Sequence, residues 1–313
     1  MTREFLSSMG LPPGDLHTLP TSEKRFPDGA QYRVEIPSTE GPRCLAAVLE
    51  EAAALDVAVH RVSQGSGVFL LTDAELDATA ALAAAERVEV SLFARPNAGW
   101  DVSAMARSQA GAVLAPAARG QEQVVQVLDD ARRAAAHGFR SVLVADLGVL
   151  SVFSAMREAG ELPREMQAKV SVMLPVANPA TARVVAELGA STINLPTDLS
   201  LAQIAAIRAT VDLPLDVYVE SPDTLGGFVR LHEIPELIRV ASPVYLKFGL
   251  RNAPDVYPSG THLDAVTVAL SRERVRRARL GLELLERTGF AAQTSERGAA
   301  GLAVPLAGAA VER

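Results

Sequence analysis

An alternation of short β-rich runs with Ala- and Leu-rich runs of helical period is the feature that most limits what this chain can fold into. Eight strand candidates lie between residues 32 and 248, and helix candidates separate most of them. Eight βα units in ~260 residues are typical of a TIM (β/α)8 barrel, so we predict an α/β fold of this kind with a single domain. The predicted strands are Tyr32–Ile36, Val57–Val62, Val88–Phe93, Ser141–Asp146, Lys169–Leu174, Ser191–Leu195, Leu215–Val219 and Val244–Phe248.

The alternative is a doubly wound open sheet, whose buried parallel strands are near-continuous apolar runs. Here polar residues occupy alternate positions of several strands, for example Arg33 and Glu35 in the first and Tyr245 and Lys247 in the last. In a barrel, such positions point into the interior or lie at its upper rim. The pattern therefore favours the barrel.

The predicted organisation has three parts. Residues 1–29 form an irregular lead-in, residues 30–288 form the barrel, and residues 289–313 form an Ala- and Gly-rich tail. The tail has no clear periodicity, and we expect it to be flexible. The alternative is an arm that packs on a neighbouring subunit, which leaves a homo-oligomer open.

The sequence also predicts where several helices begin and end. Thr72 stands three residues before Glu75, which is the spacing of a capping box. Gly138, Gly160 and Gly189 follow predicted helices, where a left-handed C-cap is expected.

Composition excludes several function classes. The 313 residues are 49% hydrophobic and only 4% aromatic, so we expect barrel layers filled by branched aliphatic side chains, with the charges at one end. The single cysteine, Cys44, permits neither an internal disulfide nor an iron–sulfur cluster within the chain. A net charge of -7 argues against nucleic acid as a partner. No apolar run approaches the ~20 residues of a membrane span. We expect a cytoplasmic protein with no membrane partner.

The candidate site residues follow from the barrel itself, because active sites lie at the C-terminal ends of barrel strands. An interior held together by salt bridges, for example between Lys247 and Asp216, is the alternative for any one of these residues. The catalytic candidates are Glu35, Asp216, Glu220 and Lys247. The substrate-binding candidates are Arg33, His60, Arg61, Arg95, Asn194, Arg251 and Asn252.

Several chemistries remain open for these residues. Lys247 could form a Schiff base with a carbonyl substrate, although a structural cation is the interpretation we prefer. The carboxylates could act as general acid and base, or could hold Mg²⁺, Mn²⁺ or Zn²⁺ with Asp146 as a candidate ligand. Residues 65–67, Gly-Ser-Gly, could cradle an anion, although an ordinary turn is the simpler interpretation. The polar loop 249–260 is either a lid over the site or a connection to the last helix.

The segment from the fifth to the seventh strand resembles peptidase family U-32, the collagenase-like peptidases. The matching runs are Asn178-Pro179-Ala180-Thr181-Ala182, Glu187-Leu188-Gly189-Ala190, Asn194-Leu195-Pro196-Thr197-Asp198-Leu199-Ser200-Leu201 and Asp216-Val217-Tyr218-Val219-Glu220-Ser221. The resemblance implies a barrel and gives the family label of a peptidase. By match, it carries over only Asp198 and Asp216 as catalytic positions.

The departures from the family pattern limit what the resemblance implies. Glu220 stands where the family has His, Ser221 stands where it has Gly, and the cysteines that follow in the family are missing. Many members are thought to carry an iron–sulfur cluster and to act in RNA hydroxylation with prephenate. That chemistry does not carry over to this chain.

Three functions are therefore expected alternatives. The first is an enzyme acting on a small, polar, anionic substrate by carboxylate acid/base chemistry at the barrel rim. The second is a divalent-metal-dependent lyase, isomerase or hydrolase. The third is a non-catalytic binding or scaffold subunit. The sequence shows no recognisable Ser/His/Asp or Cys/His arrangement of the kind that proteases use.

Overall fold

The structure, a computed structural model, describes residues 1–96, 104–108 and 116–306. Eight parallel strands in it pair in chain order, and β1 pairs with β8, so the sheet closes into a barrel. This confirms the predicted TIM-barrel fold. The strands are β1 Tyr32–Pro37, β2 Val59–Gln64, β3 Glu89–Phe93, β4 Ser141–Val144, β5 Gln167–Val170, β6 Thr192–Asn194, β7 Leu215–Glu220 and β8 Val244–Phe248.

Helices follow the strands and surround the barrel. They are α1 Thr2–Ser8, α2 Pro42–Ala54, α3 Asp73–Glu86, α4 Gln121–Ala136, α5 Leu147–Ala159, α6 Pro179–Glu187, α7 Leu201–Thr210, α8 Ile234–Ala241 and α9 Asp264–Arg287. Helix α1 lies in the lead-in that we predicted to be irregular. None of its residues is buried, and its apolar Phe5 is exposed. A helix that buries no face needs no amphipathic pattern, and the sequence shows no clear one there.

Local signals fix the helix ends as the sequence predicts. Thr72 and Glu75 form a complete capping box at the start of α3. Gly160 ends α5 in the left-handed conformation, with φ 77°, which glycine adopts without the steric cost that a Cβ imposes. Gly138 and Gly189 also have positive φ just after α4 and α6.

The aliphatic core lies between the strands and the helices, and not inside the barrel. Alternate strand residues such as Val34, Ile36, Val59 and Leu92 are fully buried in one continuous apolar cluster with the helices. The residues between them point inward, because Glu35 on β1 contacts side chains on β2, β5 and β8. The expected barrel interior of branched aliphatics is therefore wrong. Charged side chains fill its middle.

The C-terminal segment closes the N-terminal end of the barrel. Residues 289–306 pack against the start of the strands, where Gln31 N donates to Gln293 O at 2.8 Å and Leu306 N donates to Gly138 O at 3.0 Å. In return, Gln293 N donates to the side-chain Oε1 of Gln31 at 3.1 Å. Glu89, inside β3, accepts a hydrogen bond from Ala303 N at 3.2 Å. The described part of the tail thus packs against the barrel of its own chain. Residues 307–313 lie outside the described residues.

Arg33 and His60 belong to this closed end. Arg33 Nε donates to Ser295 Oγ at 2.8 Å, and one of its terminal nitrogens donates to Ala300 O at 2.7 Å. The His60 ring accepts from Val34 N at 3.0 Å and donates to Ser295 O at 2.7 Å. The predicted rim position of both residues is wrong, because they stand at the beginnings of β1 and β2.

Burial keeps His60 neutral. Its ring is 0% exposed, and desolvation lowers its pKa to about 4. A neutral ring can accept at one nitrogen and donate at the other, as these two backbone contacts require. His60 therefore holds strand β1 to the C-terminal segment.

Ser295→Ala tests how firmly this segment is held. The change removes the acceptor for the buried Arg33 Nε and leaves a charged donor unsatisfied, so we expect the free energy of unfolding to fall by about 2 kcal/mol. Ser8→Ala, at an exposed hydroxyl on α1, is the control and should shift it by less than about 0.5 kcal/mol. Urea unfolding measures both. Equal effects at the two serines would contradict a closed end.

A candidate active site at the mouth of the barrel

A cavity of about 220 Å³ opens at the C-terminal mouth of the barrel, where sites of barrel enzymes lie. Polar side chains from the strand ends form its floor, and two residues of the loop after β8, Asp255 and Tyr257, line one side. The floor residues are Ser63, Ser171, Asn194, Tyr218 and Lys247. Trp100 and Asp101, which follow β3 in the sequence, lie outside the described residues.

Lys247 is the floor residue with the most evident chemical capacity. Lys247 is 1% exposed, and its ammonium nitrogen lies 3.2 Å from Glu35 Oε1. The same nitrogen lies 4.4 Å from the ring centroid of Tyr218, a cation–π distance. Lys247 thus stands between the cavity above and an acidic group below.

An inner ion cluster lies directly beneath the cavity. We use this name for Glu35, Arg61, Lys169, Asp216 and Lys247, which come from five different strands. Arg61 bridges the two carboxylates, with a terminal nitrogen 2.5 Å from Glu35 Oε2 and 2.6 Å from Asp216 Oδ1. Lys169 Nζ hydrogen-bonds to Glu35 Oε1 and lies 3.3 Å from Asp216 Oδ2. Every member is at most 1% exposed.

The electrostatics of this cluster fix the charge of Glu35. Burial alone would raise the pKa of its carboxyl, but the charges of Arg61, Lys169 and Lys247 hold that pKa well below its usual range. Ser63 Oγ donates a further hydrogen bond to Glu35 Oε1 at 3.0 Å. Glu35 is therefore a permanent carboxylate and cannot serve as a general acid near neutral pH.

Lys169 has the opposite tendency. Burial and the positive charge of Arg61 lower its pKa to about 7, and they outweigh the attraction of Asp216 and Glu35. Lys169 therefore loses its proton far more readily than an exposed lysine does. In its neutral form, the cations Arg61 and Lys247 face the carboxylates Glu35 and Asp216, and Glu89 lies 3.8 Å from Arg61.

Two cavity residues have unused capacity to bind a ligand. Asn194 is 1% exposed, and no described residue donates to its buried side-chain oxygen. Arg95 lines the cavity wall, with its guanidinium carbon 5.3 Å from the ring centroid of Phe93. Arg95 makes no ion pair with any described residue, and burial lowers its pKa from the usual arginine value.

The predicted site residues therefore divide into groups. Lys247, Arg95 and Asn194 line the cavity, and Glu35, Arg61 and Asp216 lie beneath it in the inner ion cluster. Arg33 and His60 are at the opposite end of the barrel. The remaining candidates, Glu220, Arg251, Asn252 and Asp146, lie near the mouth but do not line the cavity.

Glu220 and the start of the loop after β8 hold each other in place. Glu220 Oε1 accepts from Arg251 N at 2.9 Å, and its other oxygen lies 3.6 Å from Arg277 on α9. The guanidinium of Arg251 pairs with Asp223 at 3.0 Å, and Asn252 N donates to the same carboxylate. These contacts shape the rim. A register shift in β7, between Tyr218 and Glu220, turns the Glu220 side chain away from the cavity.

Asp146 acts locally as a helix cap. Its Oδ1 accepts from Val149 N at 2.9 Å at the start of α5, and its Oδ2 accepts from Ala118 N at 3.2 Å. Within the described residues, no group of three or more His, Cys, Asp or Glu side chains is arranged to hold a metal ion. The geometry gives the predicted metal site no support.

The glycine-containing turn after β2 already holds an anion of the chain itself. Gly65 N and Ser66 N donate to the Glu40 carboxylate at 2.8 and 3.2 Å. Tyr257 packs over Gly65, where an added Cβ would lie 2.5 Å from its ring. The loop after β8 therefore closes over this turn, and Glu40 occupies the position that we considered for a bound anion.

Lys169 was not among the predicted site residues, because it stands at the beginning of its predicted strand. A signal was present: Lys169 and Ser171 alternate as polar residues, and such a pair faces inward in a barrel. Of the two aspartates that the family resemblance carries over, Asp198 is exposed and borders a separate surface depression.

Within the described residues, no helix is long and apolar enough to cross a membrane.

Comparison with known proteins supports the resemblance seen in the sequence. The model of peptidase family U32 matches residues 104–221, which include Lys169, Asn194 and Asp216 but not Glu35 or Lys247. This match confirms the resemblance. No curated protein sequence matches the chain.

Several solved structures are similar to this chain at low sequence identity. The YdjI aldolase from Escherichia coli K12 is 13% identical, with coverage of 84% of this chain and 93% of that one and a TM-score of 0.47. The U32 peptidase Mk0906 is 15% identical, with coverage of 75% and 98% and a TM-score of 0.41. A truncated 3-deoxy-D-arabino-heptulosonate 7-phosphate synthase from Thermotoga maritima is 15% identical, with coverage of 84% and 90% and a TM-score of 0.42.

Proposed function

We propose that this chain, whose residues 104–221 match the model of peptidase family U32, is an enzyme that acts on a small, polar, anionic substrate in the cavity at the barrel mouth. The observation that carries the proposal is a cavity of about 220 Å³ with a buried lysine in its floor and an unpaired arginine in its wall. A volume of this order suits a metabolite-sized ligand and not a folded peptide segment.

Charge argues for an anionic group on the substrate. Arg95 and Lys247 both face the cavity, whereas Asp255 is the carboxylate among its described lining residues. Lys247 is already paired with Glu35, so Arg95 is the group that a substrate carboxylate or phosphate would reach. The free oxygen of Asn194 adds a site for a substrate hydroxyl or amine.

Proton transfer falls to Lys247 and not to the carboxylates that we considered first. Glu35 and Asp216 do not line the cavity, and their charges are engaged by Arg61. Lys247 touches both the cavity and Glu35, so it can exchange a proton with a substrate above it while Glu35 stabilises its charged form.

Peptide hydrolysis, which the family name suggests, has less support. The described lining residues include the hydroxyls of Ser38, Ser63 and Ser171, but no His or Cys stands among them to activate a nucleophile. The lyase and isomerase classes fit the lysine-centred floor better.

Anion binding tests this proposal directly. We expect inorganic phosphate or oxalate to bind the native protein in isothermal titration calorimetry, and Arg95→Gln to weaken that binding by about 10- to 100-fold, because a charge-assisted hydrogen bond contributes about 1.5–3 kcal/mol.

Arg251→Gln is the matched control. Its guanidinium is exposed, pairs with Asp223 and does not line the cavity, so this variant should bind the probes as the native protein does. Equal loss of binding in the two variants, or no binding of either probe to the native protein, would count against an anion site in the cavity.

A further inference from the structure

We infer that Lys247 is a nucleophile which forms an imine with its substrate, so that the substrate class is a small aldehyde or ketone that carries an anionic group. The inference rests on the proposed function, because it uses the same cavity and the same anion site. It adds the identity of the reacting group and of the covalent intermediate.

Position is the first argument. Lys247 comes from β8, and its Nζ reaches the cavity floor beneath space that no described side chain fills. Tyr218 covers one side of the ammonium group, and Glu35 lies below it. A carbonyl carbon bound in the cavity would therefore meet Nζ from above, with the anionic end of the molecule toward Arg95.

Lysine usage is an independent argument. The chain has only three lysines, Lys24, Lys169 and Lys247, against 27 arginines among its 30 basic residues. Lys24 lies outside the barrel, where it pairs with Asp212 at 2.6 Å. The other two both contact Glu35 Oε1 inside the barrel.

An amine offers one property that a guanidinium does not. Arginine stays charged in proteins, whereas lysine can lose its proton when buried and can then act as a nucleophile. A chain that supplies nearly all its other cations as arginine has amines at the two positions beside Glu35 Oε1. Simple neutralisation of Glu35 would be served as well by arginine.

The proton that Lys247 must lose has an exit on the cavity side. Glu35 is a permanent carboxylate, and Lys169 does not line the cavity, so neither group carries this proton. It passes to solvent in the open cavity, and Glu35 holds the Lys247 nitrogen from below.

The covalent step then balances without a further reactant. The Lys247 amine attacks the carbonyl carbon, a C–N bond forms, and one of the two amine protons moves to the carbonyl oxygen to give a carbinolamine. A proton from solvent in the cavity then reaches this hydroxyl, which leaves as water, and a protonated imine remains on Lys247. One ammonium group and one carbonyl group are thus converted into one iminium ion and one water molecule.

Reductive trapping tests the inference. The protein is incubated with pyruvate or with glyceraldehyde 3-phosphate, sodium borohydride is added, and the intact mass and the modified peptide are determined. We expect one reduced adduct per chain, located on Lys247. With three lysines in the chain, the assignment by peptide mapping is unambiguous.

The variants separate a reactive lysine from a merely accessible one. Lys24→Arg should trap as the native protein does, whereas Lys247→Arg, which keeps the charge beside Glu35, should lose the adduct. Because mapping is done on the native protein, the result does not depend on how well Lys247→Arg folds. An adduct on Lys24 or Lys169, or none with either carbonyl probe, would overturn the inference.

Phosphate binding on the same samples distinguishes this failure from failure of the proposed function. Phosphate binding that depends on Arg95, without any adduct, would refute the imine and leave the anion site standing. Absence of both would refute the two proposals together.

Discussion

Replacing Glu35 by glutamine is expected to lower the free energy of unfolding by about 3–5 kcal/mol, because it removes one partner of a buried ion cluster. Glutamine keeps the size of the side chain but not its charge. Arg61 and Lys169, both at most 1% exposed, would keep Asp216 as a partner, with Glu89 3.8 Å from Arg61, whereas the equally buried Lys247 would lose the carboxylate with which it pairs. Urea or guanidinium unfolding monitored by circular dichroism gives the number.

An exposed ion pair supplies the matched control. Glu161 pairs with Arg132 at 2.8 Å, and the two side chains are 56% and 50% exposed. Glu161→Gln makes the same chemical change in water, where such pairs contribute about 0–1 kcal/mol. If the two variants lost similar amounts, the inner ion cluster would not be what holds the middle of the barrel.

Stability should rise with pH between about pH 7 and pH 9 through Lys169. The pKa of this side chain is about 7 in the folded protein and near its ordinary value of 10.5 in the unfolded chain. Between these values the unfolded state binds more protons, so the free energy of unfolding increases with pH, by up to about 1.4 kcal/mol per pH unit for one proton. Well below pH 7, Lys169 is protonated in both the folded and the unfolded state, so it no longer makes the free energy of unfolding depend on pH.

The comparison that isolates this effect is between the native protein and Lys169→Met. Methionine cannot titrate, so the difference in unfolding free energy between the two proteins should grow in favour of the native protein as the pH rises. Lys24→Met, at a lysine with surface access, should show no such trend. A difference that stays constant from pH 7 to pH 9 would mean that Lys169 remains charged inside the barrel.

These two effects concern Glu35, which was a predicted site residue, and Lys169, which was not. Glu35 was predictable as a site residue because it alternates with Arg33 in a β-rich run, but the same pattern gave no information about depth in the barrel. Position along the strand decides depth. Arg33, at the start of β1, lies at the closed end, Glu35 lies in the middle, and Lys247, late in β8, reaches the cavity.

The prediction of many charged residues at the rim failed for the same reason. Polar residues early in a strand point inward but lie below the rim, where they must be paired because the interior is poorly solvated. The salt-bridged interior considered as an alternative is what the structure contains. Residues after the strands, such as Arg251 and Asn252, lie on the loops, where the Arg251 guanidinium pairs with Asp223 and the Asn252 backbone N donates to the same carboxylate, away from the cavity.

The sequence by itself determined the eight strands, the order of helices and strands, several helix caps and the family resemblance of the segment from β5 to β7. These features depend on residues close together in the chain: alternation with period two, helical period, and capping pairs three residues apart. Such signals are local and need no knowledge of the rest of the molecule.

Only the tertiary structure decided which side chains meet. Glu35 on β1 and Lys169 on β5 are 134 residues apart, and Lys247 on β8 lies further along the chain; closure of the sheet brings both lysines to one oxygen of the Glu35 carboxylate. It likewise decided that residues 289–306 seal the N-terminal end. Barrel closure and strand register are properties of the whole sheet, so no segment of the sequence encodes them alone.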